Sequence, residues 1–306
     1  MRQAPLLRGA CLTAAVAILG GCGGGTRTSS TPALPVTARS TRLVDGSRPP
    51  YITGLAVNPA DHSVLLATNR GLYSIDSAGS HTIAARVRAG GHVGSFGERV
   101  SSLAFLNAGE LLGSGHPNGA DRGLPPFLGV LRSRDGGREW TAIARVGFSD
   151  LHVLVTSGST VYGFDTVLGA VVASYDAGRN FAERSGPPGE FVVDLAIDPH
   201  ANQHLLASTN SALFSSTDGG TSWRQTASAA GARLAWNSGG LYRADADRSV
   251  QASSDGGASW QRVGGLPGTP GKLLETADGT LYAALTEGSI VASRDGGRTW
   301  RTLYAA

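Results

Sequence analysis

A chain of 306 residues, 41% of them hydrophobic and 16% charged, can bury a large core. Forty-four glycines set against only 7% aromatic residues point to short strands joined by tight turns and away from helical bundles. Two cysteines and one methionine exclude a disulfide framework and a Met-rich surface, and a formal net charge of +3 is too small to suggest nucleic-acid binding.

The first residues form a targeting segment rather than part of the fold. Arg2 and Arg8 supply a positive start, and the apolar run CLTAAVAILGG is too short to span a bilayer as a mature helix. It closes on Leu19-Gly20-Gly21-Cys22, which resembles the lipobox of bacterial lipoproteins. That resemblance implies a signal peptide over residues 1–21 and lipid attachment at Cys22, so that the membrane is a partner and the protein is exported to the outer side of the cytoplasmic membrane or the cell envelope. A plain secretory signal with an incidental cysteine is the alternative. Cys11 leaves with the signal, and without Arg2 and Arg8 the net charge falls to +1. Residues 22–50, rich in Gly, Ser, Thr and Pro, read as a flexible tether to a folded domain over 51–306.

Beyond the tether a repeat dominates. Five segments share the form S-x-D-x-G-x-x-[WF]: SRDGGREW (133–140), SYDAGRNF (174–181), STDGGTSW (216–223), SSDGGASW (253–260) and SRDGGRTW (293–300). Their aspartates, Asp135, Asp176, Asp218, Asp255 and Asp295, lie 41, 42, 37 and 40 residues apart. Such a period means one supersecondary unit repeated, each copy too small to bury its own faces. In the fourth unit the strands read FVVDLAID, HLLAST and SALFSST, with the last beginning at Trp223. The same template finds an unboxed first unit in ITGLAVNP, SVLLATN and GLYSID, with a fourth strand near Thr82 to Val87. The expected fold is all-β, a propeller of six blades with four antiparallel strands each.

The box spacing has a local cause. An Asp in a hairpin accepts hydrogen bonds from its own turn and from the nearby Ser, glycines permit the reversal, and the aromatic packs back on the blade. The five aspartates are therefore structural. A calcium loop needs several acidic ligands at alternate positions, and each box has one. No metal site and no cofactor are implied.

These boxes resemble the Asp-box, or bacterial neuraminidase repeat, of sialidases, sortilin-type receptors and secreted glycosidases. GLAVNP at 54–59, SGHP at 114–117, DLHVL at 150–154 and DLAIDP at 194–199 resemble bacterial Asp-box lipoproteins described as glycosylhydrolase-like. The family opening often carries a His before GLAV, where this chain has Thr53, and the Arg-Ile-Pro start of sialidases is missing. The resemblance covers Tyr51 onward and implies the fold more than an activity.

In a propeller the loops from second to third strands, and from one unit to the next, converge on the face opposite the boxes. The candidate binding residues there are Arg99, His116, Asn118, Asp121, Arg122, His152 and Arg233, with Asn69, Asn210, Asp247, Lys272 and Glu287 on the same loops and strand starts. Candidate catalytic carboxylates are Asp150, Asp194, Asp165 and Asp245. Unit two has a long loop, Ser114 to Gly129, expected to be a binding element or lid. Two functions fit: a noncatalytic surface protein binding a glycan, peptide or partner protein, or a glycoside hydrolase pairing Asp150 with Asp194 or Asp165 with Asp245. Few aromatics on that face, Phe127 and Tyr162 among them, favour binding.

Overall fold

Short apolar runs punctuated by glycine turns fold here into 26 strands, with no helix among the described residues. The computed structural model describes residues 51–305 apart from 77, 78 and 120. The signal peptide, Cys22 and the tether lie outside the described residues.

Six sheets follow one another along the chain, each beginning with a strand whose neighbours come in sequence order. The innermost strands are Ile52–Val57, Val100–Asn107, Leu151–Ser157, Val192–Ile197, Arg233–Asn237 and Pro270–Glu275. Each touches the innermost strand of the next blade, and the last touches the first, which closes the ring. The first blade, Ile52 to Ile83, and the last, Pro270 to Tyr304, are each complete. Closure is therefore made by side chains: Ile52, Leu55, Val64 and Leu66 pack against Tyr282, Ile290, Leu303 and Tyr304. The apolar residues divide into six such clusters, one at every blade–blade contact. Each four-stranded blade is too thin to bury its own faces and is stabilised by its neighbours.

The second blade departs from the expectation of four antiparallel strands. It has six, because a hairpin of Ala85–Ala89 and His92–Phe96 adds to its outer edge. Ala85–Ala89 runs parallel to Glu139–Ala144, pairing Val87 with Trp140. The strand expected near 82–87 is thus divided: Gly79–Ile83 completes blade one, and the chain after it crosses to blade two. The cause is legible in the alternation of buried Ala85, Val87 and Ala89 with exposed Arg86 and Arg88. That apolar face covers Trp140, which with Phe96 forms an edge-on pair 5.5 Å apart.

The five repeated turns are near-copies of one another. In each, the Ser hydroxyl donates to the Asp carboxylate at 2.7–2.8 Å and accepts the N–H of the glycine two residues after the Asp at 2.9 Å. The same carboxylate oxygen accepts the backbone N–H four residues after the Asp, as from Glu139, Asn180, Ser222, Ser259 and Thr299. Where the aromatic is Trp, its indole N–H donates to that glycine's carbonyl. With their charge spent on turn amides and hydroxyls, Asp218, Asp255 and Asp295 are pulled down to a pKa of about 2.

Candidate functional site

The end of the channel away from these turns is built by the starts of the innermost strands. In five blades the pairing slips at the second residue, so that Thr53, Ser101, His152, Val193 and Gly271 each stand as an extra residue opposite none. A bulge of this kind twists the strand end and re-aims its side chains. All five, with Arg233 of the regular fifth blade, line a cavity of about 470 Å³ at the channel mouth. Tyr51, Asn69, Glu98, Arg99, His116, Phe191, Asn210 and Lys272 complete its wall. A second cavity of about 620 Å³ continues through the channel, lined by aliphatic side chains of the innermost strands together with Asp194, Lys272, Glu275 and Asp278.

The bulges explain the best-defined polar cluster. Asp150, whose side chain is only 7% exposed, receives His116 Nε2 at 3.1 Å and His152 Nε2 at 2.8 Å on the same oxygen, and the Ser101 hydroxyl at 2.8 Å on the other. Burial works against ionisation, but these three bonds outweigh it and hold the Asp150 carboxyl well below the usual range. His116 Nδ1 lies 2.8 Å from the Pro126 carbonyl oxygen. Both ring nitrogens thus face atoms that can only accept, which assigns two N–H groups and a positive charge to the ring. The bond to Asp150 accordingly raises the His116 pKa, against the opposing effect of burial. His116 and His152 both line this mouth, and Ser101, which no motif marks, is the member of the cluster that sequence reasoning missed. Its signal was the bulge register, invisible without the partner strand.

Cationic groups dominate the rest. Arg99 is exposed at the rim, and Arg233 reaches the Val193 carbonyl at 3.3 Å. Lys272, the single lysine of the chain, keeps partial solvent access in the channel. Burial depresses the amine's pKa; the charge of Asp194 opposes it, and the smaller effect of Arg233 adds to the depression.

Other expected residues take different parts. Asn118 and Asp121 do not face the cavity: their side-chain oxygens accept the N–H groups of Glu98 and Ser95 and fasten the long loop to the added hairpin. Arg122 is exposed on that loop, away from the mouth. The loop itself is anchored, with Leu124 and Leu128 buried and Leu124 so close to Gly94 that a Cβ there would sit 2.5 Å from it. Phe127 packs its ring 5.5 Å from His116, and Tyr162 is fully buried.

Of the candidate catalytic carboxylates, Asp165 and Asp194 are likewise engaged. Asp165 has no exposed surface, accepts the Val167 N–H at 3.0 Å and lies 3.4 Å from the Arg145 guanidinium. Asp194 accepts the N–H groups of Leu195 and Leu234, joining blade four to blade five. Asp245 sits 3.2 Å from Arg243 Nε without the alignment of a hydrogen bond, and burial raises its pKa. Among the described residues no group of three His, Cys, Asp or Glu is arranged to hold a metal ion, and no helix is long and apolar enough to cross a membrane.

No protein-family model matches this chain, and no curated protein matches it. Solved structures do. An ancestral GH74 enzyme is similar over 83% of this chain and 38% of its own, at 14% identity and a TM-score of 0.52. The GH74 xyloglucanase from Xanthomonas campestris is similar over 83% and 45%, at 16% identity and 0.51. The extracellular domain of a one component system from B. thetaiotaomicron is similar over 81% and 39%, at 13% identity and 0.50. This chain spans less than half the length of each, and the likeness is one of fold. This chain itself is a six-bladed propeller.

Proposed function

We propose that this protein is an exported, noncatalytic propeller that binds a ligand bearing an anionic group at the channel mouth. The observation that carries the reading is an asymmetry of engagement. Asp150 and Asp194, behind the mouth, are buried and bonded to protein donors, and the cavity itself is lined by three cationic side chains, Arg99, Arg233 and Lys272, against one carboxylate, Glu98. An excess of cationic groups over a partly enclosed cavity attracts negative charge and focuses it there. Glycoside hydrolysis needs two carboxyl groups free to face the scissile bond. Asp150, Asp165 and Asp194 have lone pairs taken by Ser101, His116, His152, Arg145 and backbone amides, and Asp245, whose Oδ1 has no partner, lines neither channel cavity.

The repeated turns are read as Asp-boxes and the propeller as sialidase-like in architecture, with the lipid on Cys22 tethering it to the membrane. A glycan and acidic-peptide array probed with the protein tests the binding reading, with Arg99→Ala and Arg233→Ala expected to abolish retention of anionic ligands. Turnover of fluorogenic glycosides that is lost in Asp150→Ala sinks it. Release of Cys22→Ala from the membrane fraction checks the anchor.

A further inference from the structure

We infer that the mouth face docks an acidic, apolar peptide segment of a partner protein, its carboxylates over Arg99, Arg233 and Lys272 and its apolar side chains on Phe148, Val167 and Leu168. The inference rests on the anion-binding reading and names the partner class.

Seven large hydrophobic side chains are exposed among the described residues, and five of them belong to this one face: Tyr51, Phe148, Val167, Leu168 and Phe191. Tyr51 and Phe191 line the mouth cavity itself. Phe148 is 75% exposed and lies two residues before Asp150. Thr166 donates its N–H to the Asp150 carbonyl at 3.0 Å, which holds the Val167–Leu168 hairpin tip beside that segment. Phe191 stands edge-on to His152 at 6.4 Å and to Phe164 at 5.3 Å, linking the apolar ledge to the cationic mouth. Exposed apolar side chains concentrated on one face mark an interaction surface, and adjacent charge selects what lands there.

Charge complementarity also chooses the occupant. The segment from Gly23 to Pro50 carries four arginines and one aspartate, so the chain's own tether is repelled by this mouth. A second copy presents the same cations. Val167 and Leu168 beside Phe148 form a mixed aliphatic and aromatic ledge that fits the Leu, Ile or Phe side chains of a peptide. Because Tyr51, Phe148 and Phe191 also offer planes to a sugar ring, an acidic glycan is the competing occupant that the test includes.

A random dodecapeptide display library selected on the full-length protein tests this, beside two fixed probes, oligogalacturonate and phosphatidylglycerol vesicles. Enriched peptides are expected to combine Asp or Glu with Leu, Ile or Phe. The best should bind at least tenfold more weakly to the Phe148→Ser/Leu168→Ser variant, and at least tenfold more weakly to Arg99→Ala/Arg233→Ala. Both Phe148 and Leu168 are exposed, so the serine variant should keep the wild-type circular dichroism spectrum. Enrichment for acidic residues alone, or a serine variant that binds normally, overturns the inference and leaves the anion reading standing. Binding of oligogalacturonate through Arg233 while no peptide is enriched does the same. Vesicle binding lost in the serine variant, with no peptide enriched, assigns the face to a membrane and also overturns it. If no anionic probe binds, or the arginine variant is unaffected, the anion reading itself falls.

Discussion

Replacing Asp150 with Asn removes the one charge on which His116, His152 and Ser101 converge. A hydrogen bond to a charged partner contributes about 1.5–3 kcal/mol. The His116 bond, between side chains 18% and 7% exposed, falls in the middle of that range, about 2 kcal/mol. His152 is 46% exposed, so solvent screening reduces its bond to about 0.5–1 kcal/mol. The expected loss is therefore about 3 kcal/mol where both groups are fully charged. Its pH dependence follows from the signs. His116 has a raised pKa, so its contribution is complete below its ordinary value of 6.5 and fades as pH rises through the folded value. Asp150 has a lowered pKa, so its contribution is complete above its ordinary value of 3.8 and fades as pH falls below that. The gap between wild type and Asp150→Asn should be widest between these two pH values and shrink on both sides. Guanidinium unfolding at a series of pH values measures it directly. A gap under about 1 kcal/mol, or one that stays level from about pH 5 to 9, refutes the charged His116–Asp150 link.

Trp140 and Trp300 occupy the same place in their turns, but the added hairpin buries the first completely and leaves the second half-buried. Trp140→Ala should cost about 3–5 kcal/mol and Trp300→Ala about half as much; equal costs in urea unfolding would refute a covering role for the hairpin. Lys272, as the sole lysine, can be followed by amine-reactive labelling and peptide mapping. Its rate should reach half-maximum at a lower pH than free lysine, and Arg233→Ala should move that midpoint upward, because a neighbouring positive charge is removed. A profile coincident with free lysine counts against the crowded cationic mouth. Gly129 closes the long loop with φ of +67°, and a Cβ there would lie 2.3 Å from the Ala144 carbonyl oxygen. Gly129→Ala should cost at least about 2 kcal/mol and lower Tm by about 4–8 °C, read by calorimetry; an unchanged Tm would show that the loop end relaxes freely.

Local chemistry wrote the architecture into the sequence. Each Ser-x-Asp turn satisfies its own backbone within a few residues, and the spacing of the five turns counts blades because every blade after the first repeats that closed unit. His116, His152, Arg99 and Arg233 could be assigned to one face from the alignment of the repeated units, since unit boundaries fix which loops share an end. What that alignment could not give was the pairing between strands. The run after Ile83 looks the same whether it ends blade one or edges blade two, and only the presence of Trp140 to be covered decides it. Asn118, Asp121 and Asp165 read as available ligand groups because a sequence shows a polar side chain but not the distant amide that occupies it. Ser101 was missed for the converse reason: a bulge turns it toward Asp150, 49 residues away. By itself, then, the sequence determined the repeat, the blade count and the face to search. The tertiary structure decided which of that face's polar groups are spent on the fold and which are left to meet a ligand, because hydrogen-bond partners remote in the chain exist only once the ring has closed.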